Sequence, residues 1–394
     1  MQKLICIVVG IGLLSTLSAQ PRDADTALAL AWTRNPRVQA LRLEIQSAQR
    51  LRQSASALSA PAILLAPALT TGGVGEELLV QQPLELTGVR QARTRVGQAQ
   101  YELAVAQSLL ELNNLLAEVA AAYYEYAYRQ RIAQNAQEAL QLAQRTRDTI
   151  QQQVAAGARA GVDLVQAEIE LERVRQHALL RQAEAETALA QLQALVGGAP
   201  DTPDAPSPLA FHAPSESTPM RLQAARLRLE QTLLQQIRAE SLPDLGVQLR
   251  VERFQAERTR PAFGLTLSLP LIDYGARENR LRAQRALTEA QRLRLQQTRL
   301  EVETALRNAE QRLRQAQTRY DAYQQTLLPR ALQLAQAAQV GLEAGQLSIL
   351  QLLESQRTAR TVQEEALEAE LQLKRSEVEL QRLRGAFLPK EVNL

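Results

Sequence analysis

Apolar residues recur along this chain with two periods. Over 105–126, Val105, Leu109, Leu112, Leu116, Val119, Tyr123 and Tyr126 step by four and three, as do Val302, Leu306, Ala309, Leu313, Ala316, Tyr320 and Tyr323 over 302–323. That spacing is the seam of a long packed helix. Over 244–252, Leu245, Val247, Leu249 and Val251 alternate with Gly246, Gln248, Arg250 and Glu252. Over 262–271, Phe263, Leu265, Leu267, Leu269 and Leu271 alternate with small or polar residues. Alternation of period two predicts strands with one apolar face. Residues 77–87 alternate less cleanly, and 62–69 (AILLAPAL) are ambiguous, which makes four strands.

The elements come twice. Pro-Leu, Gly, Arg and Arg occupy the same offsets in PLELTGVRQAR (83–93) and PLIDYGARENR (270–280), and GARAGVDLVQAE (157–168) aligns with GQLSILQLLESQ (345–356). We expect a first repeat over 20–196 and a second over 219–388, with a six-residue tail at 389–394. Residues 197–218 carry Pro200, Pro203, Pro206, Pro208 and Pro214, which forbid a helix and mark a linker. Each repeat predicts a first helix (24–58, 219–241), a non-helical region (61–87, 243–274), a long helical run (89–155, 276–343), a Gly-marked turn and a last helix (163–195, 349–384). The first long run would extend roughly 100 Å. Pro329 should break or kink the second.

Residues 1–19 read as a secretory signal, with Lys3, an apolar stretch from Leu4 to Leu14 and a small residue at Ala19. The apolar stretch is too short for a spanning helix.

Composition removes whole classes of function. Of 394 residues 45 are Lys or Arg and 42 Asp or Glu, a net charge of +3, without the basic stripe of a nucleic-acid binder. Two histidines, His177 and His212, and a single cysteine, Cys6, supply no metal site and no disulfide. No cofactor motif or nucleophile–base constellation occurs, so no catalytic residue is named. Tyr123, Tyr124, Tyr126 and Tyr128 fall on or near a packing seam and read as core. Arg90, Arg93, Arg277 and Arg280 read as solvated helix starts or as contacts to lipid head groups.

The strands leave two architectures open. Lipid holds no water to satisfy an open sheet edge, so a spanning sheet must close. Four strands are too few for a barrel, so several copies would have to share one, and three copies would supply twelve strands. The alternative is a pair of soluble hairpins on an exported coiled coil.

Helix, hairpin, long helix, Gly turn and helix, twice over after a signal, resembles the TolC family of outer-membrane efflux proteins. QQPLELTGVRQAR, AAAYYEY and VAAGARAGVDLVQAEIEL resemble its CzcC-like heavy-metal branch, and LPRALQLAQAAQVGLEAGQLSILQLLESQRT matches the family's second turn. The resemblance implies a mainly α fold with a small β part. It implies a homotrimer with a shared twelve-stranded β-barrel in outer-membrane lipid and a coiled-coil α-helical barrel in the periplasm. It further implies a periplasmic adaptor and an inner-membrane resistance-nodulation-division pump as partners, no cofactor, and passive conduction of cargo, here heavy-metal cations. Drug efflux or type I secretion through the same duct is the alternative.

By the same resemblance the two turns sit at an adaptor-docking tip: Gly157, Gly161, Val162 and Leu164 in the first, Gly345, Ser348 and Leu350 in the second. The glycines would let the chain reverse where a side chain would clash. Glu354 and Gln351 match positions that ring the tunnel mouth with acids in relatives. Gln351 departs from that pattern, whereas Asp163, its first-repeat counterpart, is acidic. A Tyr and an Arg that hold relatives closed are replaced by Leu342 and Leu347. A solvated surface role is the alternative for Glu354.

Overall fold

A computed structural model describes residues 24–70, 73–86, 88–198, 217–240, 242–254, 260–268 and 274–388. The expected leader, most of the Pro-rich linker, His212 and the tail at 389–394 lie outside these residues. The order is α1 (Ala24–Arg34), α2 (Pro36–Ser56), β1 (Ala62–Thr70), β2 (Gly73–Pro83), α3 (Val89–Ala155), α4 (Gly161–Val196), α5 (Thr218–Ala239), β3 (Asp244–Phe254), β4 (Arg260–Ser268), α6 (Ala276–Ala322), α7 (Leu328–Glu343) and α8 (Ile349–Arg384). Long helices and one small sheet make a mainly α fold.

The chain forms two compact units. One takes in the described residues of 36–117, 217–321 and 372–388, and contains the sheet. The other takes in those of 24–35, 118–198 and 322–371, and contains both Gly turns.

The strands pair in the order β1-β2-β3-β4, every pair antiparallel. Register sorts the side chains into two faces. Ile63, Leu65, Leu78, Val80, Leu245, Val247, Leu249, Val251, Phe263, Leu265 and Leu267 share one face, where Gln82, opposite Val247, stands among these apolar residues at the helix end of β2. This face is uncovered: Leu65 is 80% exposed, Phe263 85% and Leu265 78%. The other face carries Ala62, Glu77, Gln81, Gly246, Gln248, Arg250, Glu252, Gly264 and Thr266, with Leu64 and Leu79 as its large apolar residues. Residues 62–69, ambiguous as sequence, are a strand because β2 supplies a partner along the whole length.

Three expectations are corrected or made more specific. The single helix over 24–58 is two helices, divided at Asn35 because Pro36 disfavours helical geometry in the residue before it. Asn35 is buried, and its side-chain amide donates to the Leu195 carbonyl oxygen at 2.5 Å. Next to Pro329 the α-helix of the second long run is interrupted, as expected, but the run does not end. Residues Tyr323–Leu327 form a π-helical turn, in which the Leu328 amide reaches the Tyr323 carbonyl, and α7 continues directly. The wide turn accommodates a ring that an α-helix would clash with.

The same turn explains the repeat spacing. Left-handed glycines come in pairs: Gly88 with Gly275, 187 apart, then Gly157 with Gly345 and Gly197 with Gly385, each 188 apart. The second copy therefore has one extra residue between 275 and 345, and a π turn is how a helix absorbs one.

The third correction concerns the seams. The first is buried from Leu109 to Tyr126, and Tyr123 and Tyr128 are fully enclosed. In the second only Ala309 and Ala316 are buried, and α6 leaves Leu287, Leu293 and Leu300 more than half exposed. On α2, Leu43 and Leu51 are likewise exposed, as is Leu58 just beyond its end. Within one chain α6 has too few neighbours to cover its apolar positions.

Gly97 on α3 marks a close helix approach in this unit, since a Cβ there would stand 2.6 Å from the Ala55 Cβ of α2. Gly97→Val should cost about 1–3 kcal/mol through overpacking. Adding Ala55→Gly should recover part of the loss, read as the thermal midpoint of helix circular dichroism in detergent.

Candidate functional site

The two Gly turns are built alike. After α3 the Gly157 amide donates to the Val154 carbonyl at 3.0 Å and the Ala158 amide to the Gln153 carbonyl at 2.9 Å. After α7 the Gly345 amide donates to Leu342 at 3.1 Å and the Gln346 amide to Gly341 at 2.8 Å. Both are helix ends closed through a left-handed residue, with φ of +71° at Gly157 and +72° at Gly345. A Cβ at either would meet nothing within 4 Å. The demand is therefore for the backbone angle, and not, as expected, for room. Gly161 needs neither, since its φ is ordinary and the space beside it is open.

The remaining turn residues divide between packing and exposure. Leu164 packs on a cluster of Ile150, Ala167, Ile349 and Leu353, which joins the first turn to the start of α8. Leu164, expected on a docking surface, is half-buried there. Val162 and Leu350 are exposed. So are Val165 and Ile169, which continue the Val162 stripe along one face of α4 and went unmarked in the sequence.

Ser348 and Gln351 form a reciprocal cap at the start of α8. The Ser348 amide donates to Gln351 Oε1 at 2.9 Å, and the Gln351 amide to Ser348 Oγ at 3.3 Å. Glutamine three residues after a serine supplies this second bond without a charge. Asp163 stands in the first turn of α4, 3.6 Å from Arg159. Glu354 is exposed and bonded to Arg357 at 2.9 Å, so its charge has a counter-charge within the chain. Leu347 lies across Gly341, where a Cβ would come within 2.7 Å of its Cδ1. That places an apolar contact near the turn.

Arg357 leads to a group that the sequence did not reveal. Its second amino group is 2.8 Å from Glu170 on α4, and Arg360 bonds the other Glu170 oxygen. Glu170 is only 5% exposed. It occupies the stripe of Ala167, Leu171, Val174 and Ala178, and a lone acid in an apolar stripe was the available signal. Burial opposes its charge, but the bonds from Arg357 and Arg360 outweigh burial and hold the carboxyl below its usual range.

Further pairs continue along α8. Arg181 bonds Glu364 at 2.8 Å, and Arg129 bonds Glu368 at 2.6 Å. The Tyr128 hydroxyl donates to Glu370 at 2.5 Å. His177, expected to stand alone, contacts Glu364 at 3.1 Å. Arg93, expected at a solvated helix start, is held in the other unit by Glu85 at 2.6 Å and Ser59 at 3.1 Å.

Because Glu170 titrates lower folded than unfolded, its stabilising effect is complete above the unfolded carboxylate range and is lost as pH falls through the folded value. Glu170→Gln should therefore lower the thermal midpoint at pH 7, at a cost of about 3 kcal/mol. The gap to the unsubstituted protein should close as pH falls below 4.5. Thermal melts from pH 7 down to pH 3 check both.

The model of a family described as "Outer membrane efflux protein" matches residues 27–198 and 213–386. "Cobalt-zinc-cadmium resistance protein CzcC" of Cupriavidus metallidurans is 28% identical over 292 residues, covering 70% of this chain and 69% of that one. Among solved structures, CusC, described in terms of transmembrane channel formation, superposes with a TM-score of 0.77 at 16% identity, covering 93% of this chain and 92% of its own. The open state of the Neisseria gonorrhoeae MtrE outer membrane channel does so at 0.76 and 18% identity, covering 95% and 92%. The two structures show a common fold, and the match of the family model over both repeats shows that this chain belongs to the outer membrane efflux protein family, as an efflux channel of the outer membrane.

Proposed function

We propose that three copies of this chain form one passive duct, the outer-membrane part of a tripartite efflux system. The observation that carries the reading is the sheet. Its apolar face is uncovered, and β1 and β4 each have one edge with no partner strand among the described residues. Such edges are intolerable in lipid unless closed. Strand directions alternate from β1 to β4, so β4 of one copy meets β1 of the next in antiparallel sense, and three copies close twelve strands.

The helices support the same closure. α2 leads into β1, and α6 follows β4. Both helices leave leucines bare, as do α4 and α7, and joining the sheet edges brings the α2 and α6 stripes toward each other across the subunit boundary. Below the membrane the helices wall a periplasmic tunnel. The turns at Gly157 and Gly345 form its tip, where Val162, Val165, Ile169 and Leu350 offer the apolar contacts for a periplasmic adaptor. The adaptor connects the duct to an inner-membrane pump of the resistance-nodulation-division type. Likeness to a cobalt-zinc-cadmium resistance protein supports divalent metal cations as cargo. Asp163, paired with Arg159, and Glu354, tempered by Arg357, are acids at the tip for attracting them, and the duct transforms nothing.

Two measurements test this. Leu265→Lys puts a charge on the lipid face, at about 2–4 kcal/mol per copy near the bilayer centre. It should abolish trimers extracted from the outer membrane, whereas Ala262→Lys on the opposite face should leave them. A wild-type protein that is a water-soluble monomer would overturn the duct. Deleting the gene should sensitise cells to zinc, cobalt and cadmium, and unchanged metal tolerance with lost drug tolerance would overturn the cargo.

A further inference from the structure

Helix and strand join in four short stretches, 50–61, 84–95, 233–243 and 269–282, at the helix end of the sheet. Together these hold nine arginines against four acids, Glu85, Glu240, Asp273 and Glu278. Their balance is +5 in a chain whose whole balance is +3, so the positive charge is gathered there and the remainder is slightly acidic. Two of the acids each hold one arginine: Glu85 is buried on Arg93, and Glu278 bonds Arg282 at 2.5 Å. Arg50, Arg90 and Arg280 are exposed and have no carboxylate partner among the described residues. Arg50 reaches Gln53 Oε1 at 3.4 Å, and Arg90 the Ser56 carbonyl at 3.0 Å. Bare apolar side chains are interleaved with these charges. Leu51, Leu58, Leu86 and Leu242 are exposed, and Tyr274 is 97% exposed. Tyr274 also has a φ of +49°, a left-handed conformation that a bulky residue rarely adopts. Such strain, holding a ring that rests on nothing in its own chain, points to a contact outside it.

We infer that this junction is a collar that binds the headgroups of anionic phospholipids in the leaflet facing the periplasm. The inference rests on the trimeric barrel proposed above, whose closure sets the helix end of each sheet at the level of that leaflet and triples the charge. A basic stretch beside a membrane segment attracts acidic lipid. Arginine suits the phosphate, because its planar fork of donors pairs with two oxygens at once. Its apolar stem lies along hydrocarbon while the charged head stays in the interface. The leucines and Tyr274 complete the match, since a tyrosine ring settles at headgroup depth with its hydroxyl in water. A free phosphate ion would be drawn by the arginines alone and would leave the leucines and the ring bare. The combination of charge with exposed apolar surface selects a lipid surface.

Purified wild-type trimers in a neutral detergent, titrated with phosphatidylglycerol or phosphatidylcholine, test this through the thermal midpoint at each lipid concentration. Phosphatidylglycerol should raise the midpoint at much lower concentration than phosphatidylcholine. Arg50→Gln, Arg90→Gln and Arg280→Gln together should raise the half-saturating phosphatidylglycerol concentration at least about tenfold. Lysine at the same three positions should recover most of the response. Removing the same charge farther along α6, with Arg294→Gln, Arg312→Gln and Arg314→Gln, should leave it unchanged. The preference should shrink at 1 M salt, where the screening length falls to about 3 Å. Inorganic phosphate at equal concentration should not reproduce the shift. The lipid comparison on the wild type needs no variant, so it decides even if the glutamine variant fails to assemble. Equal responses to the two lipids overturn the collar and leave the duct standing. So do a response that survives the triple substitution, one lost equally in the distant α6 variant, and one that phosphate reproduces. A wild-type preparation that forms no trimer overturns the duct and this inference with it.

Discussion

Backbone amides and carbonyls at the edge of a sheet must be bonded to something, and hydrocarbon offers nothing. In water those edges are satisfied, but a face of leucines, valines and a phenylalanine is then left bare. The four-stranded sheet of this chain therefore suits neither solvent by itself. Every other feature of the sheet-bearing unit is consistent with closure by further copies, from the alternating strand directions to the bare leucines on the two helices that flank the sheet in sequence. Burial that looks incomplete in one chain, as along the second seam, is what a subunit of a closed wall should show.

The other unit solves a different problem. It contains two hairpin ends that must be sharp, and both use a left-handed glycine with the same pair of hydrogen bonds. Holding the elements together there falls to alanines on α4 and α8, which allow close approach, and to charged pairs strung along α8. The buried Glu170 with its two arginines costs desolvation, yet it joins α4 to α8 where apolar packing alone would set no register. Charge close to the tip is consequently partnered within the chain, which tempers any acidic ring at Glu354.

Much of this was legible beforehand because it depends on period and spacing. Alternation showed β3 and β4, three-four stepping showed the long helices, and matching motifs showed the repeat. The capping role of Ser348 and Gln351 follows from a three-residue spacing, although the functional reading placed Gln351 on a tunnel mouth. Residues 62–69 could not be resolved from their own sequence, because an apolar run with Pro67 becomes a strand only when a partner offers hydrogen bonds along its length.

The sequence by itself determined the elements, their duplication and the left-handed turns, since periodicity and glycine conformation are properties of neighbouring residues. Only the tertiary structure decided which charges meet. Glu170 finds Arg357 and Arg360 across nearly 190 positions, Glu77 faces Glu252 across 175, and Arg93 turns back onto Glu85 instead of facing solvent. Such pairings depend on strand register and helix approach, which are fixed by the whole packed chain and leave no mark on the local pattern.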